Sequence, residues 1–112
     1  MPKQVAQLTL VFHALTDPTR RAVVERLRGG PVATTELAAR FDMALPSFLQ
    51  HLGVLQKCGL VRSSKKGRVR TYELSTAPLK AAEDWMATQR LLWARRLDQL
   101  DTFLNELKEP PE

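Results

Sequence analysis

The sequence predicts a mainly α-helical fold of about five helices with one two-stranded β-hairpin. Three observations predict it. Apolar residues recur every three to four positions over most of the chain, which is typical of amphipathic helices. Proline, glycine and small polar residues stand where short helices would start and stop. One stretch near residue 67 alternates around a glycine, as paired strands do. No linker or repeat divides the 112 residues, so we expect a single domain over 1–112.

The first two helices are delimited by apolar spacing and by residues that cap helices. Helical spacing over about residues 4–15 is carried by Val5, Leu8, Phe12 and Leu15. Asp17 then supplies an N-cap and Pro18 a first-turn proline, which together start a second helix. That helix is expected to stop at Gly29 and Gly30, where a left-handed residue is easily accommodated.

The third and fourth helices form a helix-turn-helix pattern. We expect Thr34 to cap a short third helix, and Leu45 with Pro46 to open a fourth that ends near residues 57–59. At 100° per residue, one apolar stripe of this fourth helix contains Leu45, Phe48, Leu49, Leu52 and Leu55. Its opposite side carries Ser47, Gln50, Val54 and Lys57, with His51 at the border.

A β-hairpin follows the fourth helix. Residues 61–64 and 68–74 are predicted as two short strands around Lys65, Lys66 and Gly67. Gly67 provides the positive φ that tight hairpins usually require. A helix-turn-helix followed by such a hairpin is a winged helix, with the hairpin as the wing.

The last predicted helix is too long for one small core. It starts at Pro78, extends to about Leu107 and ends before Pro110 and Pro111. Its apolar seam contains Ala82, Met86, Trp93, Leu97, Leu100, Leu104 and Leu107. About 30 residues span roughly 45 Å, whereas a domain of this size has a radius of gyration near 13 Å. We therefore expect a homodimer through 1–15 and 78–107, with an interface of Val5, Leu8, Phe12, Met86, Trp93, Leu97, Leu100 and Leu104.

Composition and charge narrow the functional class. The chain is 44% hydrophobic and 26% charged, and it has no apolar run long enough for a membrane helix and no leader-like start. A single cysteine suits a reducing compartment, so we expect a cytoplasmic protein. The net charge is +5. Residues 43–72 contain no acid but six basic residues, Lys57, Arg62, Lys65, Lys66, Arg68 and Arg70.

Such a one-sign stretch favours a polyanion, although a solvated basic face without a partner gives the same pattern. A major groove admits one α-helix, and Gln50 can form a bidentate contact with adenine there, while Ser47 can bond to a base or a phosphate. The basic residues of the wing are spaced to follow a phosphate backbone. The predicted DNA-binding set is Ser47, Gln50, His51, Lys57, Lys65, Lys66, Arg68 and Arg70.

Several motifs together resemble the ArsR family of bacterial transcriptional regulators. They are ALTDPTR at 14–20, TELA at 35–38, PSFLQHL at 46–52, GLV at 59–61 and GRVRTYEL at 67–74. The resemblance covers about residues 5–75 in consistent order. It implies a dimeric winged-helix repressor whose first and last helices form the dimer interface and whose fourth helix enters the major groove.

Two departures from that family pattern matter. Members often carry polar residues where this chain has Ala44, Leu45 and Leu49, so these leucines are either core residues or contacts to thymine methyl groups. Metal-sensing members place a cysteine pair in the third helix or Asp, His and Glu ligands on the last helix. This chain has Glu36–Arg40 (ELAAR) at the first place and no histidine after His51. It resembles a metal-independent branch, with no metal or cofactor expected.

Other residues have a structural and a functional interpretation. Cys58 is either a small buried residue at a helix end or a redox-sensitive thiol, and His51 is either a hydrogen-bonded structural histidine or a DNA contact. Trp85 and Trp93 are either core or interface anchors, or they line a ligand pocket between helices. An enzyme is not expected, because His51 and Cys58 are about 10 Å apart by helical rise. Two alternatives to a DNA-binding regulator without an effector stay open. They are a winged-helix protein-interaction module and a regulator gated by a small apolar ligand.

Overall fold

The computed structural model describes residues 3–108, and over them it confirms a mainly helical fold with five helices. Before the helix-turn-helix come α1 (Lys3–Ala14), α2 (Pro18–Leu27) and β1 (Val32–Ala33). The helix-turn-helix is formed by α3 (Thr34–Ala38) and α4 (Leu45–Lys57). After it come β2 (Val61–Lys66), β3 (Val69–Leu74) and α5 (Ala77–Lys108). Pro110 and Pro111, expected to stop the last helix, lie outside the described residues.

Local signals set most of the element boundaries. The Asp17 carboxylate accepts the backbone N–H of Arg20 at 3.0 Å and so caps α2, with Pro18 as its first residue. After α2 the chain turns at Gly30, whose φ is +122°. Because L-residues with a side chain rarely adopt that φ, glycine is the residue that permits the turn there.

The predicted cap of α3 is wrong. Ala33 occupies the N-cap position without any side-chain hydrogen bond, and Thr34 is the first helical residue. The Thr34 hydroxyl donates instead to the Arg70 carbonyl at 3.0 Å. The reason is tertiary: β1 ends immediately before α3, so Thr34 lies beside β3 and bonds to the neighbouring strand rather than to its own helix.

The wing belongs to a three-stranded antiparallel sheet in the order β1-β3-β2, rather than to a two-stranded hairpin. The extra strand pairs Val32 with Tyr72 and Ala33 with Thr71. Two residues are too few to show any periodicity, so the sequence carried no signal for β1. The hairpin turn is confirmed at Gly67, where φ is +64°, but Lys65 and Lys66 belong to β2 rather than to the turn.

The chain divides into two compact units, residues 1–82 and residues 83–112. The first has the hydrophobic core, which comprises Val11, Ala14, Val23, Leu27, Val32, Leu37, Phe48, Leu52, Leu55, Cys58, Leu60, Val61, Tyr72 and Ala82. The second, over its described residues 83–108, is helical throughout and exposes large apolar side chains. They are Trp85, Met86, Leu91, Leu92, Trp93, Leu97, Leu100, Phe103, Leu104 and Leu107.

Two glycines in and after α4 are expected to respond in opposite directions to alanine. Gly59 has a φ of +84°, and an added Cβ would lie 3.3 Å from both Gln7 Nε2 and Pro78 Cγ. Gly59→Ala should therefore lower the free energy of unfolding by about 1–2 kcal/mol. Gly53 lies inside the helix with open space around it, so Gly53→Ala should raise it by about 0.5–1 kcal/mol. Urea unfolding measures both, and equal effects would contradict the assigned backbone conformations.

Candidate nucleic-acid interface

Helix α4 presents a polar outer face opposite its buried side. Phe48, Leu52 and Leu55 are buried in the core. At 100° per residue the opposite line of the helix contains Pro46, Gln50, Gly53 and Lys57, all of them exposed. Ser47 lies at the edge of this line and is exposed as well. The structure therefore leaves the predicted contacts on α4, other than His51, open to a partner.

The predicted apolar stripe of α4 is too wide. Leu45 is 52% exposed and Leu49 is 41% exposed, so neither belongs to the core. Val54, expected on the outer side, is instead half-buried against the core. Neighbouring elements cover the side of the helix that runs from Val54 through Leu55 to Leu52, and this coverage cannot be derived from periodicity within α4.

A buried arginine connects α1, α2 and α4. Arg20 is only 9% exposed, and its Nε donates to the Ala14 carbonyl at 2.7 Å. Its Nη2 donates to the His13 carbonyl at 3.3 Å, and its Nη1 lies 3.1 Å from Nδ1 of His51. The two carbonyls belong to the last turn of α1, where intrahelical donors run out. The His13 carbonyl also accepts the Thr16 N–H at 3.1 Å and the Thr16 hydroxyl at 2.6 Å, so Arg20 matters most for the Ala14 carbonyl. Arg20 therefore satisfies the end of one helix while holding a residue of α4.

His51 is a hydrogen-bonded histidine at the border of the outer face of α4. An arginine guanidinium donates only, so Nδ1 of His51 must accept, and in the neutral ring the hydrogen is on Nε2. Asp17 Oδ2 lies farther from the same Nδ1, at 3.7 Å, and the shorter contact with Arg20 decides the tautomer. The backbone N–H of Arg20, which the Asp17 carboxylate accepts, holds the pKa of that carboxyl below its ordinary value. This geometry favours the structural interpretation of His51.

The strand register divides the basic residues of the wing between its two faces. Lys65 lies opposite Arg70, and Lys66 lies opposite Val69. Directly paired residues share a face of a sheet, so Lys65 and Arg70 are on one face and Lys66 is on the other. Arg68 stands in the turn. All four are exposed, and together they place positive charge on both faces and at the tip of the wing.

A polar bridge that sequence reasoning missed links α4 to the wing. The Ser63 hydroxyl oxygen accepts hydrogen bonds from Gln56 Nε2 at 3.0 Å and from Arg70 Nη1 at 2.9 Å. The predicted DNA contact Arg70 therefore also braces the wing. Elsewhere on the hairpin, Arg62 forms an ion pair with Glu73 at 3.6 Å. No sequence signal pairs Gln56 with Ser63, because both are ordinary polar surface residues.

Cys58 is buried, which confirms its structural interpretation. Its Sγ donates to the Leu55 carbonyl at 3.3 Å, and the side chain of Gln7 hydrogen-bonds to the Cys58 carbonyl. Burial raises the pKa of the Cys58 thiol, because the thiolate is poorly solvated there.

Cys58 should consequently be inert in the folded protein. At about pH 8 we expect iodoacetamide to alkylate it at least about 100-fold more slowly in buffer than in denaturing urea, since the thiolate is the reactive species and is disfavoured by burial. Mass spectrometry over time measures both rates. Rapid alkylation of the native protein, with circular dichroism unchanged, would contradict the burial.

Residues 3–108 contain neither a metal-binding cluster nor a membrane-spanning helix. Within that range no three His, Cys, Asp or Glu side chains cluster closely enough to hold a metal ion. Across the same residues, no helix combines the length and the apolar character needed to cross a membrane. A separate apolar groove of about 280 Å³ runs between α1 and the start of α5, lined by Lys3, Gln7, Leu8, Val11, Pro78 and Ala81.

Sequence comparison finds relatives among bacterial regulators. A family model described as a helix-turn-helix domain matches residues 15–64. The transcriptional repressor SdpR of Bacillus subtilis is 34% identical over 76 residues, which are 68% of this chain and 84% of that protein. The HTH-type transcriptional regulator Rv2034 of Mycobacterium tuberculosis is 44% identical over 70 residues, 62% of this chain and 65% of that protein.

Structural comparison agrees with the sequence relatives. A crystal structure of an ArsR family transcriptional regulator has a TM-score of 0.77 at 49% identity, covering 84% of this chain and 97% of that one. An ArsR-like transcriptional regulator from Rhodococcus sp. RHA1 has a TM-score of 0.78 at 32% identity, covering 88% and 93%. The chain therefore belongs to the ArsR family of winged helix-turn-helix transcriptional regulators, which bind DNA.

Proposed function

We propose that this protein is a transcriptional repressor that binds a palindromic operator as a homodimer, with α4 in the major groove and the wing on the flanking backbone. The observation that carries this proposal is the exposed surface built by the outer face of α4 and by residues 62–72 of the wing, which contain no acidic side chain. Gln50 is the proposed base-reading residue, with Ser47 beside it, and Lys57 neutralises phosphate at the end of the helix. The SdpR relative, named a repressor, supports the direction of regulation.

The basic wing suits a nucleic-acid backbone on both of its sides. In a minor groove, phosphates flank an inserted element on either side. Lys65 and Arg70 on one face, Lys66 on the other and Arg68 at the tip match that distribution. Such contacts are expected to supply affinity and position, with little sequence information.

Dimerisation is proposed from exposed apolar surface in each of the two units. In the first unit, Val5 is exposed and Leu8 and Phe12 are half-buried on α1. In the second unit, the exposed seam of α5 contains Met86, Trp93, Leu97, Leu100 and Leu104. Large exposed apolar patches usually mark interfaces. Two-fold symmetry would place the recognition helices about 34 Å apart and so require an inverted repeat.

Selection of bound sequences from a random duplex pool tests the proposed function. We expect an imperfect palindrome, and sedimentation equilibrium should give twice the chain mass. Gln50→Ala should change which bases are selected within each half-site. Discrimination against the wrong base should fall there by about 1–3 kcal/mol, because a bidentate adenine contact is lost. Gln99→Ala on α5, in the second unit, is the matched control and should select the wild-type sequence. If the pool yields no sequence and random duplex DNA binds weakly even at low salt, the protein-interaction alternative replaces this proposal.

A further inference from the structure

Helix α4 begins with two leucines that the core does not use. Leu45 and Leu49 are 52% and 41% exposed, whereas Phe48, between them in sequence, is 1% exposed. Residues four apart on a helix lie one above the other on the same face. The two side chains therefore form a single apolar ridge in the first half of the helix, beside the polar line that contains Gln50.

A lone exposed leucine requires no explanation, because much of any protein surface is apolar. The location of this ridge is what distinguishes it. It lies on the helix that presents Ser47 and Gln50, within a stretch of 30 residues, 43–72, that contains no acidic side chain. The partner best matched to that positive charge is a polyanion. The same partner should therefore also contact the apolar ridge.

Duplex DNA offers one apolar group on the base edges of its major groove, the C5-methyl group of thymine. The other base edges there present hydrogen-bond donors and acceptors, which leucine cannot satisfy. A leucine on a groove-facing helix is therefore favourable opposite thymine and unfavourable where it would cover an unpaired polar edge.

We infer that Leu45 and Leu49 are specificity-determining residues that contact thymine methyl groups in each half-site, next to the adenine read by Gln50. This inference rests on the proposed function, and it adds which groups of the DNA half-site α4 contacts. Each half-site then contains adjacent A·T pairs. The preference comes from methyl burial on one side of the helix and from the amide of Gln50 on the other.

Replacing thymine by deoxyuridine tests the inference directly, since it removes only the methyl group and preserves base pairing. The full-length wild-type protein is titrated against its selected operator and against duplexes with one thymine at a time replaced. At one or two positions in each half-site we expect affinity to fall about 4-fold per methyl group, the value of one buried methyl-sized group. Elsewhere the replacement should have no effect.

Substitution of the leucines assigns the effect. Leu49→Ala and Leu45→Ala should each lose the thymine-to-uracil ratio at one position, binding both duplexes equally. Leu91→Ala removes a leucine that is 56% exposed on α5 and should keep the wild-type ratio. Circular dichroism and sedimentation are measured for each variant.

The possible outcomes separate this inference from the proposed function. If the wild-type protein binds its operator but tolerates every uracil, the methyl contacts are absent while DNA recognition stands. If the leucine variants weaken binding to the thymine and uracil duplexes by the same factor, so that the wild-type ratio is kept, the ridge serves folding or self-association instead. A change of oligomeric state would have the same meaning. Failure of the wild-type protein to bind any duplex would contradict the proposed function itself. The wild-type measurement requires no variant to fold.

Discussion

Removing the positive charge from the wing should abolish useful DNA affinity without changing the fold. In the triple variant Lys65→Ala, Lys66→Ala, Arg68→Ala, we expect operator binding at about 0.15 M salt to weaken by roughly 10²–10⁴-fold. The three side chains are exposed and occupy the faces and the tip of the hairpin, so no core contact is lost. Each phosphate contact releases counterions on binding, and a dimer would lose up to six such contacts.

The salt dependence identifies the mechanism behind that loss. The slope of log affinity against log salt should become shallower by about 0.9 for each lost phosphate contact, so by up to about 5 in the dimer. Specific and random duplexes should weaken alike, whereas Gln50→Ala alters base preference. The control variant Arg28→Gln, Arg95→Gln, Lys108→Gln removes the same charge from exposed positions outside residues 43–72. If this control weakens binding as much as the triple wing variant, net charge rather than the wing drives association.

Loss of Arg20 should be the most destabilising single change outside the apolar core. We expect Arg20→Ala to lower the free energy of unfolding by about 3 kcal/mol, a large part of the 5–15 kcal/mol typical of a small domain. The guanidinium is nearly buried and donates to the Ala14 and His13 carbonyls. Alanine would leave the Ala14 carbonyl without its buried donor, whereas the His13 carbonyl would keep its bonds from Thr16, and it would leave a cavity beside His51.

The adjacent arginine provides a matched control. Arg21 Nη1 also donates to a backbone carbonyl, that of Leu15 at 2.8 Å, but at the exposed surface, where water can replace it. Arg21→Ala should therefore change stability by less than about 0.5 kcal/mol. Urea unfolding followed by circular dichroism measures both variants. Equal losses would show that burial of Arg20 does not contribute to stability.

The sequence alone predicts those features whose forces act over one helical turn or one hairpin. Asp17 and Pro18 start α2 because a carboxylate reaches the N–H of a residue three positions on, a purely local contact. Gly67 permits a two-residue turn because it lacks a Cβ, whatever surrounds it. The uneven charge of residues 43–72 is likewise present in the order of the residues. These features predicted the winged helix and an exposed basic surface on α4 and the wing.

Contacts between distant parts of the chain were beyond such reasoning. Arg20 and His51 are 31 positions apart, and Thr34 and Arg70 are 36 apart, so neither hydrogen bond has a local pattern. Periodicity placed Leu45 and Leu49 in an apolar stripe, but neighbouring elements cover only part of that stripe. The order of residues in a helix determines by itself which side chains share a face. Burial depends on which other segments pack against that face, and this is a property of the whole fold.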